Sequence, residues 1–200
     1  NVLKTFSIEN EPVVELVNNR EREYIFADLP DIGYSTDIDT VMASSYQVKK
    51  QLQQIVKIEQ PITNTLLYKR ILRIWNLTRV TTRLQVFIDS LLEDAYKDPL
   101  SGDTIIYWEN KEKAKECDFY RINSKRDILD IPILEVMSAA RYAIEQQISM
   151  PIEDLKRLTS QLLGFSRKGN NLDMVTEQTI QLLINKGIFS HANGMVSMNN

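Results

Sequence analysis

Residues 59–83 read EQPITNTLLYKRILRIWNLTRVTTR, and the spacing of their apolar and basic side chains decides the fold of the region around them. Leu67, Ile71 and Ile74 recur at i, i+4 and i+7 with Leu66 and Trp75 beside them, the pattern of an amphipathic helix whose apolar stripe packs inward. The opposite side presents Lys69, Arg70 and Arg73. Asn76 and Leu77 interrupt the pattern, and Thr78 is then placed to cap a further helix with the stripe Leu84, Phe87, Ile88, Leu91 and Leu92. The stretch predicts helix, short turn, helix.

Charge sets this region apart. Eight basic residues from Lys49 to Arg83 face one acid, Glu59, so the segment carries +7 in a chain whose net charge is −3. Everything else together is therefore −10. Such segregation suggests a surface for a polyanion, although long basic side chains also solvate ordinary helix faces.

Working outward, residues 1–44 hold nine acids against Lys4, Arg20 and Arg22, with short apolar clusters at Pro12-Val13-Val14 and Tyr24-Ile25-Phe26 and breaks at Pro30 and Gly33. They read as an acidic, extended, partly ordered lead-in. A helix is expected from about Ser45 to Lys57, where Val48, Leu52, Ile55 and Val56 keep helical spacing. After Ala95 the breaker-rich loop from Asp98 to Asp103 precedes Thr104–Trp108, a β-branched and aromatic strand candidate. Charged turn material over 109–118 then leads to a second strand candidate, Phe119–Ile122. Three helices followed by a hairpin is the order of a winged helix.

From Asp127 onward the plan recurs. Ile133, Val136, Met137, Ala140 and Ile144 mark a first helix behind Pro132, and Leu155, Leu158 and Leu162 a second that Gly164 ends. Leu172, Val175, Thr179, Leu182 and Leu183 mark a third. A hairpin of Ile188–His191 and Met195–Met198 turns at Asn193-Gly194, a pair suited to a type I′ turn. An offset of 88 residues lays Leu67 on Leu155, Ile74 on Leu162, Leu84 on Leu172, and Trp75-Asn76-Leu77-Thr78-Arg79 on Leu163-Gly164-Phe165-Ser166-Arg167. The expected fold is mainly α with small β-hairpins, an α+β arrangement of two tandem winged-helix-like units at 45–126 and 127–200.

The run Glu59-Gln60-Pro61-Ile62, Leu66-Leu67, Arg70-Ile71 and Trp75 to Arg79 resembles the hallmark of an uncharacterised domain family near the C-terminus of large bacterial superfamily-one helicase-like ATPases. Ile131-Pro132, Glu135-Val136, Ala139-Ala140, Leu155 and Leu163 to Arg167 resemble that family's downstream signature, so the likeness spans roughly residues 50 to 185. The resemblance implies a setting in DNA processing, repair or defence, beside helicase/ATPase and restriction-type nuclease domains of the same parent protein. It supplies no catalytic residues.

Catalytic chemistry is sparsely provided. His191 is the only histidine and Cys117 the only cysteine, too few for a zinc site or an internal disulfide, and no Gly-rich phosphate loop is present. Asp103, the strand candidate after it, Glu109 and Lys111 imitate the metal-binding core of restriction-type nucleases, but such enzymes need a larger sheet than these few short strands provide. No cofactor or metal is therefore expected. Trp75 ends an inward stripe and reads as core, whereas Trp108 could pack inward or stack on a base.

With 43% hydrophobic and 26% charged residues, no apolar run long enough to cross a bilayer and no signal pattern, the expectation is a soluble, cytoplasmic chain without a membrane partner. Its start at Asn1, without an initiator Met, suits a piece of a longer protein and equally tag removal or processing. The expected function is non-catalytic binding of duplex or forked DNA. Arg79, Thr82 and Arg83 would enter the groove, Lys69, Arg70 and Arg73 would grip phosphates, and Lys111 and Lys113 would reach the backbone from a wing. Arg167, Lys168, Asn170 and Asn171 are the second unit's equivalents, weakened by Asp173 and Glu177. The alternative is a scaffolding module that docks on the helicase or nuclease core.

Overall fold

A computed structural model describes residues 18–34, 36–100, 104–122 and 125–199. The first seventeen residues of the acidic lead-in, including Pro12-Val13-Val14, lie outside the described residues, as does Asp103. From Asn18 the lead-in is packed chain. Strand β1 (Glu21–Glu23) leads to Tyr24 and Ala27, both buried, and helix α1 (Ile38–Ala43) buries Val41.

Helix α2 (Ser45–Glu59) buries Val48, Leu52, Ile55 and Val56, and α3 (Asn64–Ile74) buries Leu66, Leu67, Tyr68, Ile71 and Ile74 against them. Between these helices runs strand β2 (Ile62–Thr63). Thr63 also caps α3, its hydroxyl accepting from the Leu66 N–H at 3.3 Å. The helix ends at Trp75, and Asn76 takes the left-handed conformation (φ 47°) that lets the Leu77 N–H reach back to the Leu72 carbonyl at 2.9 Å.

Helix α4 (Thr82–Leu91) starts later than the sequence suggested, capped by Thr81 rather than Thr78. A start at Thr82 sets Leu84, Ile88 and Leu92 at i, i+4 and i+8, all buried in the same core as α2 and α3.

The sheet corrects the expected hairpin. Strand β3 (Tyr96–Lys97) pairs with β4 (Ile106–Trp108), which pairs in turn with β2, giving the antiparallel order β2-β4-β3. The stretch read as a charged turn contains helix α5 (Lys111–Lys115), for which Asn110 accepts from the Lys113 N–H at 2.9 Å. Strand β5 (Tyr120–Ile122) does not return to β4. It pairs in parallel with β1, about a hundred residues away in the chain. Tyr96-Lys97 is too short and too polar to signal a strand by alternation, so the sequence alone does not mark the partner of β4.

After a 3-10 turn at Ile128–Asp130 come α6 (Ile133–Glu145), β6 (Met150–Pro151), α7 (Ile152–Leu162), α8 (Asn170–Asn185), β7 (Phe189–Ala192) and β8 (Met195–Met198). Their sheet has the order β6-β8-β7. The succession helix, strand, helix, helix, strand, strand thus occurs twice. The starts of α6, β6, α7 and α8 each follow those of α2, β2, α3 and α4 by 88 positions. Even the turns agree. Gly164 (φ 89°) stands where Asn76 does, and the Phe165 N–H donates to the Ser160 carbonyl at 3.0 Å as Leu77 does to Leu72.

A buried ionic network joins the two halves. Glu135 of α6 is fully enclosed and receives Arg121 Nε at 3.1 Å and Arg126 Nη1 at 2.7 Å. Arg121 also donates to the carbonyls of Glu59 (2.7 Å) and Pro61 (2.6 Å) at the end of α2. Strand β5 and Arg126, assigned from sequence to the first unit, thus pack on α6 of the second.

Burial alone would raise the Glu135 pKa, but the two guanidiniums hold it at about 2, against an ordinary 4.5. The unfolded chain then takes up this proton more readily than the folded one. The stability that Glu135 lends is complete above pH 4.5 and is lost as pH falls toward 2. Urea midpoints followed by circular dichroism are expected to drop through that window, and a flat profile would contradict the network.

Candidate nucleic-acid interface

The turn from α3 to α4 and the turn from α7 to α8 hold most of the residues singled out from sequence. Arg79 and its counterpart Arg167 are exposed, each directly after a hydroxyl residue, Thr78 or Ser166. Neither makes an ion pair among the described residues, and Lys168 makes none either. Thr82 is the exposed first residue of α4. Asn170 and Asn171 open α8, whose N-cap, Gly169, has no side chain to occupy the first amides. Arg157, Ser160, Phe165, Arg167 and Lys168 line a cleft of about 440 Å³ between α7 and this helix end.

Other cations are committed elsewhere. Arg70 is largely buried, with Nη2 2.8 Å and Nε 3.0 Å from Glu59, a hydrogen bond from Nη2 to the Tyr24 hydroxyl at 2.9 Å and Phe26 stacked over its guanidinium at 4.4 Å. Glu59, the lone acid of the basic stretch, is fully buried and also accepts from the Tyr24 hydroxyl and the Ala27 N–H. Arg70 is therefore a structural cation, and the phosphate role expected of it does not fit its surroundings.

Lys69 Nζ lies 2.7 Å from Asp130, and Arg83 Nη2 lies 2.8 Å from Asp39 of α1, with both members of the latter pair exposed. Arg73 is exposed beneath the Phe26 ring at 5.1 Å. Lys111 and Lys113 stand on α5, not on a hairpin tip, and Lys113 pairs with Glu116 at 3.5 Å. The wing expected at 109–118 is thus absent. Strands β3 and β4 pair as the antiparallel hairpin instead.

Two influences escaped the sequence reading. Asp39 is 44 positions from Arg83, so only the folded chain brings them together. Lys156 of α7 is almost buried and lies 2.7 Å from Asp173 and 3.0 Å from Glu177. Burial lowers a lysine pKa, but the hydrogen bonds that the ammonium donates to these two carboxylates outweigh it and raise this one. Helical spacing across α7 and α8 could have suggested that trio.

Burial pushes the Cys117 thiol up to about 12, which disfavours its thiolate. Among the described residues no group of three or more His, Cys, Asp or Glu side chains could hold a metal ion. Glu109 lies beside the Gln60 amide at 3.4 Å. Trp75 and Trp108 are both buried, their indole N–H groups donating to Gln51 (2.9 Å) and Asp98 (3.2 Å). Neither is placed to stack on a base. No helix among the described residues is long and apolar enough to cross a membrane.

Residues 43–86 match the model of a protein family of unknown function, DUF3320. This DUF3320 stretch comprises α2, β2, α3 and the first half of α4, and so includes Lys69, Arg73, Arg79 and Arg83. The downstream signature from Ile131 to Arg167 lies beyond it. The chain matches no curated protein and no solved structure.

Proposed function

We propose that this chain is a non-catalytic nucleic-acid-binding module made of two winged-helix units, 45–126 and 127–200, related by an internal duplication. The element order and the sheet orders β2-β4-β3 and β6-β8-β7 fit that plan, in which the third helix of each unit enters the major groove and neighbouring side chains grip phosphates. One observation carries the binding reading. Arg79 and Arg167, 88 positions apart, are exposed, without an ion pair among the described residues, and equivalently placed ahead of third helices α4 and α8. An unpaired surface guanidinium suits a phosphate oxygen, and two in one geometry suit a regular phosphate backbone.

The binding set is Arg73, Arg79, Thr82 and Arg83 in the first unit and Arg167, Lys168, Asn170 and Asn171 in the second. Lys69 and Arg70 leave it because their charges are held by Asp130 and Glu59. The parent is a helicase-like DNA-processing protein with a nuclease domain, a setting that rests on the resemblance of 59–79 and 131–167. Fluorescence anisotropy with duplex and forked DNA at low salt tests the reading. Binding by both is expected, and no binding by either would overturn it.

The scaffolding alternative draws on the ion pairs that already engage Lys69, Arg70 and Arg83. It predicts retention of the helicase core in a pull-down without any DNA binding. The Arg83–Asp39 pair separates the two further. Because Asp39 would compete with phosphate, Asp39→Asn is expected to tighten DNA binding several-fold at low salt, an exposed pair being worth about 0.2–1 kcal/mol. Unchanged affinity would mean that Arg83 does not touch DNA.

A further inference from the structure

The third helices of the two halves present different chemistry. On α4 the outward residues are Thr82, Arg83, Val86 and Ser90, with Arg83 held by Asp39. On α8 the outward stripe at spacings of three and four is Asn171, Met174, Gln178 and Gln181, which carries no charge. Its two acids, Asp173 and Glu177, are drawn off that stripe toward α7 by the Lys156 ammonium at 2.7 and 3.0 Å. The stripe keeps its amides for an outside partner over its first turns. Gln181 is turned to Asn185, donating to its Oδ1 at 3.0 Å, while Asn171 and Gln178 make no side-chain hydrogen bond among the described residues. Just ahead of the stripe stand Arg167 and Lys168, exposed and without an ion pair among the described residues.

We propose that α8 is the base-reading helix and that it favours A·T pairs, with Asn171 and Gln178 as specificity-determining residues. A carboxamide offers a donor and an acceptor side by side, the complement of adenine N7 and N6–H₂ in the major groove. Met174 lies between the two amides, 44% exposed, where a thymine methyl would meet its thioether. Cations at the preceding turn fix the register, and the amides read sequence. This rests on the nucleic-acid reading above. The division of labour assigns grip to Arg79, Arg167 and Lys168 and discrimination to the second unit.

The test titrates the whole chain with two duplexes of equal length, one of A·T and one of G·C pairs. The wild type is expected to prefer A·T by about thirtyfold or more, from two bidentate amide–base contacts. Asn171→Ala with Gln178→Ala should bring the two affinities within about twofold while the salt slope stays unchanged, because amides release no counterions. Both residues are exposed, and an unchanged thermal melt confirms that the variant is folded. Arg167→Ala should weaken both duplexes alike. Equal wild-type affinities, or an A·T preference that survives the double substitution, would overturn this inference and leave the binding reading intact. Failure of both duplexes to bind at low salt would overturn the two together.

Discussion

Glu135→Ala is expected to cost the fold about 3–5 kcal/mol, the loss typical of removing one member of a buried ion pair. The carboxylate is fully enclosed and is the counter-ion of two guanidiniums that are themselves only 5% and 7% exposed. Truncation removes the carboxylate that faces two buried guanidiniums, and Arg121 is also the donor that fastens α6 to the end of α2. The loss should appear as a fall in the urea midpoint and in Tm. Glu145→Ala is the control. Its partner Arg20 lies 2.7 Å away near the surface, where such pairs contribute about 0.2–1 kcal/mol. Equal effects of the two substitutions would mean that the Glu135 network does not hold the halves together.

The second large effect concerns binding. Each phosphate contact made by a cation releases counterions and adds about 0.9 to the slope of log affinity against log salt for duplex DNA. Arg79→Ala with Arg167→Ala should therefore lower the slope by about two and weaken binding more at low salt than at high. Neither side chain has an ion pair among the described residues, so stability should hold within about 0.5 kcal/mol. Lys57→Ala, an exposed cation on the last turn of α2, should leave the slope alone. Arg70→Met should act in the opposite way, destabilising the protein through Glu59 while folded molecules keep the slope of the wild type. A slope unchanged in the double variant would remove both arginines from the interface.

Much of this architecture was legible because apolar periodicity is a local signal. The stripes of α2, α3, α6 and α7 and the Asn193-Gly194 turn are written in residues a few positions apart, and both turn residues take positive φ (52° and 76°). The offset of 88 was legible for the same reason, since Asn76 and Gly164 are both residues that tolerate a left-handed backbone. What escaped depended on distant partners. The β1–β5 pairing joins segments about a hundred residues apart and carries no marker in either strand. Glu59 looked like a stray acid in a basic run, but it is the buried counter-ion of Arg70. Charge counting could flag Lys69, Arg70 and Arg83 as basic, yet it could not show that Asp130, Glu59 and Asp39 already face them. Of the cations singled out, Arg73, Arg79, Lys111, Arg167 and Lys168 make no ion pair among the described residues.

Amide chemical shifts of the isotope-labelled chain, followed by NMR as duplex DNA is added at low salt, test the central claim most directly. Perturbations are expected to gather at residues 78–83 and 166–171, with the buried residues around Glu135 and the exposed side of α2 unchanged. Shifts confined to surfaces away from both turns, or no shifts at all at saturating DNA, would contradict it.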